Sequence, residues 1–221
     1  MNNPQIENLE KVAAILSKIP EQFVFTGGAT IALYLDEILW DEVRPTLDVD
    51  CVVEVASRAE YYALSERLRR VGLDECTEPD APLCRWLYQD LIVDVMPCDA
   101  EILGFSNRWY QAGIQNKMTY VLPSGQAIAI FYLLASKVEA FLGRGQNFRF
   151  SKDIEDIVIL LNGCEVLFEE FEQVEIEVRG FLSDWFRENR SDLEEAVLCF
   201  LPASDSERED LVINIIERFM Q

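Results

Sequence analysis

The chain has 221 residues, half of them apolar and 11% aromatic, a composition too rich in core-forming side chains for disorder and sufficient for one large domain or two small ones. Forty Asp and Glu against 19 Lys and Arg give a formal charge of -21, which excludes a general nucleic-acid coat protein, because such binding draws its affinity from neutralising phosphates. The absence of histidine removes Ser-His-Asp and Cys-His catalysis and every His-ligated zinc or iron site, so chemistry must rest on carboxylates, Lys, Arg, hydroxyls or thiols.

In chain order, Ile6, Leu9, Val12, Ala13 and Leu16 recur at helical spacing behind Pro4. Phe23 to Phe25 is a short β-favouring run that stops at Gly27-Gly28, and Ala29 to Glu37 resumes a helical pattern. Leu47 to Val55 alternates and is rich in valine, as a strand requires. Arg58 to Val71 predicts a charged amphipathic helix ending at Gly72. Leu83 to Tyr88 and Leu91 to Met96 predict two strands joined at Gln89-Asp90, and Lys117 to Leu122 with Gln126 to Ile130 predict a hairpin turning at Pro123-Ser124-Gly125.

From Phe131 onward the pattern is helical: Phe131 to Leu142, Ser151 to Leu161, Cys164 to Asn189, Leu193 to Phe200 and Ser206 to Met220, with Ser151 and Ser206 placed as N-caps. The fold class is therefore α+β, a mixed sheet with helices over residues 1–130 followed by a C-terminal helical region over 131–221. Met1 to Glu10 lacks the basic start and apolar stretch of a signal peptide, and no run of about 18 uncharged apolar residues suggests a membrane span, so the expected location is the cytoplasm with no membrane partner. There, Cys51, Cys76, Cys84, Cys98, Cys164 and Cys199, none of them in a C-x-x-C, should be free thiols, mostly in the core.

Three aspartates stand out. Asp48 and Asp50, one residue apart in a strand, project from one face while Val49 and Cys51 turn to the other. Asp94 lies inside the otherwise apolar Leu91-Ile-Val-Asp-Val-Met96, where a lone carboxylate is expensive unless paired or bound to metal. Three carboxylates without histidine suit a hard cation, Mg2+ or Mn2+. Thr26-Gly27-Gly28, between a strand and a helical pattern, lets the backbone approach a ligand; it matches neither a Walker A sequence nor a dinucleotide fingerprint. Arg108 to Lys152 carries six basic residues (Arg108, Lys117, Lys137, Arg144, Arg149 and Lys152) against Glu139 alone, a net of +5, and so marks where an anion would dock; Asp153 to Gln221 carries a net of -14.

The order Gly27-Gly28, helix, Arg44-Pro-Thr46-Leu-Asp48-Val-Asp50, then a third aspartate on a later strand, resembles the polymerase-β-like nucleotidyltransferase superfamily. Within it, Lys137-Val-Glu-Ala-Phe-Leu-Gly-Arg144 followed by Ser151-Lys-Asp153-Ile-Glu-Asp156-Ile is similar to the AbiEii-type nucleotidyltransferases, the toxin components of abortive-infection and related toxin-antitoxin systems. The resemblance covers roughly residues 20 to 162. It implies that Asp48, Asp50 and Asp94 hold two metal ions, that Asp94 also helps to deprotonate the attacking hydroxyl, and that Thr26, Gly27 and Gly28 line the triphosphate. It further implies that Lys137 neutralises phosphate or pyrophosphate charge, that Asp153 and Asp156 orient basic groups or act near the nucleophile, and that Arg44 and Arg144 contact phosphates. The implied substrate is a nucleoside triphosphate, the implied acceptor a hydroxyl of transfer RNA or another macromolecule, and the implied partner a cognate antitoxin. Two rivals share the first motifs: a small-molecule nucleotidyltransferase of the antibiotic-inactivating kind, and a nucleotide- or partner-binding module without activity.

Overall fold

The computed structural model describes residues 3–119, 126–145, 147–164, 167–201 and 206–221. It divides into two compact units, one formed by Met1–Leu33 with Pro45–Ala129 and the other by Tyr34–Arg44 with Ile130–Gln221. Among the described residues no helix is long and apolar enough to cross a membrane.

The first unit opens with helix α1 (Pro4–Leu16), started by the Asn3 side chain, which accepts from the backbone N–H groups of Gln5 and Ile6. Its Leu9, Val12, Ala13 and Leu16 are buried, as the spacing requires. Strand β1 (Phe23–Thr26) is buried throughout, and Gly27 ends it at φ 78°. The expected helix over 29–37 is instead a 3-10 turn over Gly28–Tyr34. Thr30 fixes it, because both its N–H and its hydroxyl hydrogen meet the Gly27 carbonyl three residues back. Next come β2 (Asp48–Val53) and α2 (Arg58–Arg70), the latter capped by Ser57 and followed by Gly72 at φ 102°.

Strands β3 (Asp74–Glu75), β4 (Arg85–Tyr88) and β5 (Leu91–Pro97) complete one side of the sheet, with Gln89 in the left-handed region at the β4–β5 turn. The short helices α3 (Ala100–Leu103) and α4 (Tyr110–Gln115) carry too few residues for their periodicity to register in the sequence. Strands β6 (Lys117–Thr119) and β7 (Gln126–Ile128) pair antiparallel as expected, while the turn placed at 123–125 lies outside the described residues. The seven strands run β3-β4-β5-β2-β1-β7-β6, with β2–β5 and β1–β7 parallel and the other pairs antiparallel. One face buries Phe23, Phe25, Val49, Cys51, Val53, Trp86, Val93 and Val95 against α1 and α2 residues such as Leu16, Leu64 and Leu68.

All six cysteines are free. Burial raises the Cys84 thiol to about 12, and the neighbouring Asp94 and Asp50 charges add to the effect. The thiolate is the reactive form, so Cys84 labelling by iodoacetamide should be slow at pH 7 and climb about tenfold per pH unit to pH 10. Exposed Cys199 should label first. Peptide mapping by mass spectrometry reads both; fast modification of Cys84 at pH 7 in the folded protein would contradict this packing.

The second unit is helical: α5 (Ile130–Arg144), α6 (Lys152–Gly163), α7 (Leu167–Glu170), α8 (Ile176–Glu188), α9 (Arg190–Phe200) and α10 (Ser206–Phe219). Ser151 caps α6 by accepting from the Ile154 N–H, as predicted; the residue before Ser206 lies outside the described residues. The single helix expected over 164–189 is broken by a 3-10 turn at Phe171–Gln173 and by extended Val174. The break lets Phe171 turn inward and stack on Phe219 at 4.2 Å, where Phe131 and Phe186 also meet. A 3-10 turn at Glu37–Glu42 belongs to this unit, and Leu35 and Leu39 approach Gly163 so closely that a Cβ there would lie 2.6–2.7 Å from their methyl carbons.

Candidate metal centre

The parallel pairing of β2 with β5 sets Asp50 opposite Asp94, and the antiparallel pairing of β1 with β2 sets Thr26 opposite Asp50. Strand alternation places Asp48 on the same face as Asp50, one step along β2, while Val49 and Cys51 are buried on the other. The three aspartates can each offer an oxygen, and these oxygens lie within 4.8 Å of one another. Two oxygens sharing one cation at about 2.0–2.6 Å stand no more than about 5 Å apart, so the spacing fits a shared hard cation, and the all-carboxylate donor set fits Mg2+ or Mn2+. Asp48 is steadied by the Thr46 hydroxyl, which donates to its Oδ1. Gly27 closes one side: a Cβ built there would lie 2.8 Å from Asp50 Cγ, so only glycine allows the backbone this near the carboxylate.

Asp94, 7% exposed, has a partner that the sequence reading missed. Arg85, directly opposite it across the β4–β5 hairpin, donates Nε–H to Oδ1 at 2.9 Å and Nη2–H to Oδ2 at 2.8 Å. That forked bond to Asp94, helped by the charge of Asp48, holds the guanidinium even more firmly protonated than usual. Thr26, Asp50, Asp94 and Arg85 thus form one row across four adjacent strands.

A solved structure shares this architecture. The crystal structure of an antigenic nucleotidyltransferase-like protein from Paracoccidioides brasiliensis superimposes with a TM-score of 0.56 at 17% identity, over 88% of this chain and 92% of that one. The fold is nucleotidyltransferase-like. No protein-family model matches the chain, and no curated protein does.

The remaining sequence candidates gather in the second unit. Lys137, buried on α5, donates from Nζ to Asp156 Oδ2 at 2.5 Å and stands 3.8 Å from Asp153 Oδ1. Arg144 donates to Asp153, and Arg44 lies 3.6 Å from Asp156 and 3.7 Å from Glu155. Desolvation raises the Glu155 carboxyl, against the pull of Arg44. The Lys-Arg-Asp-Asp pattern singled out in the sequence is therefore a compact ion network, in which Asp153 pairs with Arg144 and Asp156 with Lys137. Arg149 adds a further pair with Glu195, so three of the six basic residues between Arg108 and Lys152 meet carboxylates. The sequence excess of +5 accordingly overstates the positive charge free to meet an anion. Of the others, Lys117 donates to the Gln22 side chain and Arg108 sits over the Trp109 ring at 4.9 Å.

Proposed function

We propose that the protein is a metal-dependent nucleotidyltransferase that moves a nucleoside monophosphate from a nucleoside triphosphate to a hydroxyl acceptor and releases pyrophosphate. The observation that carries this reading is the convergence of Asp48, Asp50 and Asp94 on a nucleotidyltransferase-like fold. Asp48, Asp50 and Asp94 would hold divalent cations, which supply charge neutralisation to the phosphates and to the leaving pyrophosphate. Gly27 brings the backbone beside Asp50, where Thr26, Gly27 and Gly28 would line the triphosphate. Asp94 takes the proton as the acceptor oxygen attacks the α-phosphorus; the bond from that phosphorus to the β-phosphate's bridging oxygen breaks, and pyrophosphate leaves with the electron pair. Lys137, Arg44 and Arg144 would serve phosphate charge, with Asp153 and Asp156 setting their orientation. The finer reading, supported by the motif order Lys137, Arg144, Asp153, Asp156, is an AbiEii-type toxin with an RNA acceptor and a cognate antitoxin, acting in the cytoplasm. The division into a nucleotidyltransferase core over 1–130 and a helical domain over 131–221 belongs to the same proposal.

The test is transfer of label from each α-labelled nucleoside triphosphate, with Mg2+ or Mn2+, into RNA, protein or small molecules of a cell extract. One triphosphate should label one class, and Asp50→Asn should reduce that label at least a hundredfold, a loss of about 2.7 kcal/mol in transition-state stabilisation. Label in an antibiotic-like small molecule alone would replace the RNA reading, and no Asp50-dependent label from any triphosphate would overturn the enzyme reading.

A further inference from the structure

The forked pair between Arg85 and Asp94 bears directly on how a cation reaches the triad. Both oxygens of Asp94 accept from one guanidinium at 2.8–2.9 Å, so an ion ligated by Asp94 must share an oxygen with that guanidinium or displace it. Sharing sets a dication beside a fixed monocation, and the repulsion grows as water is excluded. Nothing in the backbone obliges Arg85 to stay. Its side chain is 29% exposed, at the open end of a flexible stem on β4, whereas that of Asp94 is 10% exposed on a strand paired along both edges.

We propose that Arg85 competes with the divalent cation for Asp94, so that loading of the triad requires the guanidinium to leave the carboxylate. This rests on the reading of Asp48, Asp50 and Asp94 as a metal centre and adds to it a positioning residue that sets the affinity of the centre. Three carboxylates within 4.8 Å repel one another. Arg85 meets part of that repulsion as an internal cation, and the same contact lowers affinity for an external one. A cation that arrives with an anionic polyphosphate overcomes the competition best, since the anion offers the displaced guanidinium a new partner.

Mn2+ binding, followed through the free-ion electron paramagnetic resonance signal on the whole chain, tests this without reference to turnover. Arg85→Gln should bind Mn2+ on the order of tenfold more tightly than the parent chain. In chelator its melting temperature should fall, and Mn2+ should restore it. Arg85→Lys keeps the charge and loses the fork, so it should lie between the two; should the Gln variant fail to fold, tighter binding by Arg85→Lys still supports the competition. Affinity equal to or below the parent in a folded Arg85 variant overturns it. Asp50→Asn separates this from failure of the metal centre itself: loss of Mn2+ binding in that variant keeps the centre while the Arg85 result decides the competition, whereas Mn2+ binding indifferent to Asp50 removes both.

Discussion

Replacing Lys137 by Met should lower stability by about 3–5 kcal/mol, the usual effect of removing one partner from a buried ion pair. The lysine is 8% exposed on a helix whose neighbouring Leu133, Leu134, Ala135 and Val138 are fully buried, so its ammonium is solvated chiefly by Asp156 and Asp153. Without it, the side chains of Asp153 and Asp156, each 3% exposed, lose the ammonium that stands between them, and negative charge is left where little water reaches it. For a chain of this size each kcal/mol shifts the melting temperature by about 2–4 °C, so a fall on the order of 10 °C is expected. Adding Asp156→Asn to Lys137→Met removes the surplus charge and should recover a large part of the loss, the signature of direct coupling in a double-mutant cycle. A loss below about 1 kcal/mol for Lys137→Met would show the ammonium well hydrated and the ion pair with Asp156 of little worth to the fold.

Gly27→Ala should cost both fold and function. At φ 78° an L-residue carries a penalty of about 1–2 kcal/mol. Its new methyl would also lie 2.8 and 2.9 Å from Cγ and Cβ of Asp50, so the carboxylate must turn away from Asp48 and Asp94 or the β1–β2 pair must part. Either response takes one ligand out of the triad. Mn2+ affinity should fall at least tenfold, measured beside a thermal melt that registers the backbone penalty separately. If binding survives unchanged, the Asp50 carboxylate does not contribute to the centre in the orientation described.

Much of this was legible before any coordinate. The same-face argument for Asp48 and Asp50 needs only the two-residue repeat of a strand, and the isolation of Asp94 in an apolar run announced that it must be met by something. What met it was legible too. With a two-residue turn at Gln89-Asp90, the hairpin register runs Tyr88 to Leu91, Leu87 to Ile92, Trp86 to Val93 and Arg85 to Asp94. Counting back from the turn would have found the arginine. The 3-10 turn after Gly28 was harder, because ATIALY satisfies a 3.6-residue pattern as well as a three-residue one, and the Thr30 hydroxyl bond to Gly27 tips the balance. The break after Phe171 had no local signal: the stretch holds no proline, and the bend is set by a ring finding Phe219 almost fifty residues away. The Lys137 network was hidden for a similar reason, since Asp156 sits at helical spacing from Lys152 and pairs instead across α5 and α6.

The second unit takes in Tyr34–Arg44, a stretch made well before the rest of that unit. Arg44 leaves the ribosome about 110 residues ahead of Asp156, and at about 5–20 residues per second it waits roughly 6–22 s for the carboxylate it will accompany. Through that interval Leu35 and Leu39, whose eventual neighbour is Gly163, have no helix to cover them. A nascent chain paused between residues 50 and 150 therefore displays an apolar segment that carries Asp36, Glu37, Asp41 and Glu42 against Arg44 alone; its leucines are what a chaperone retains, so the schedule of synthesis as well as the finished structure decides how much protein a cell recovers.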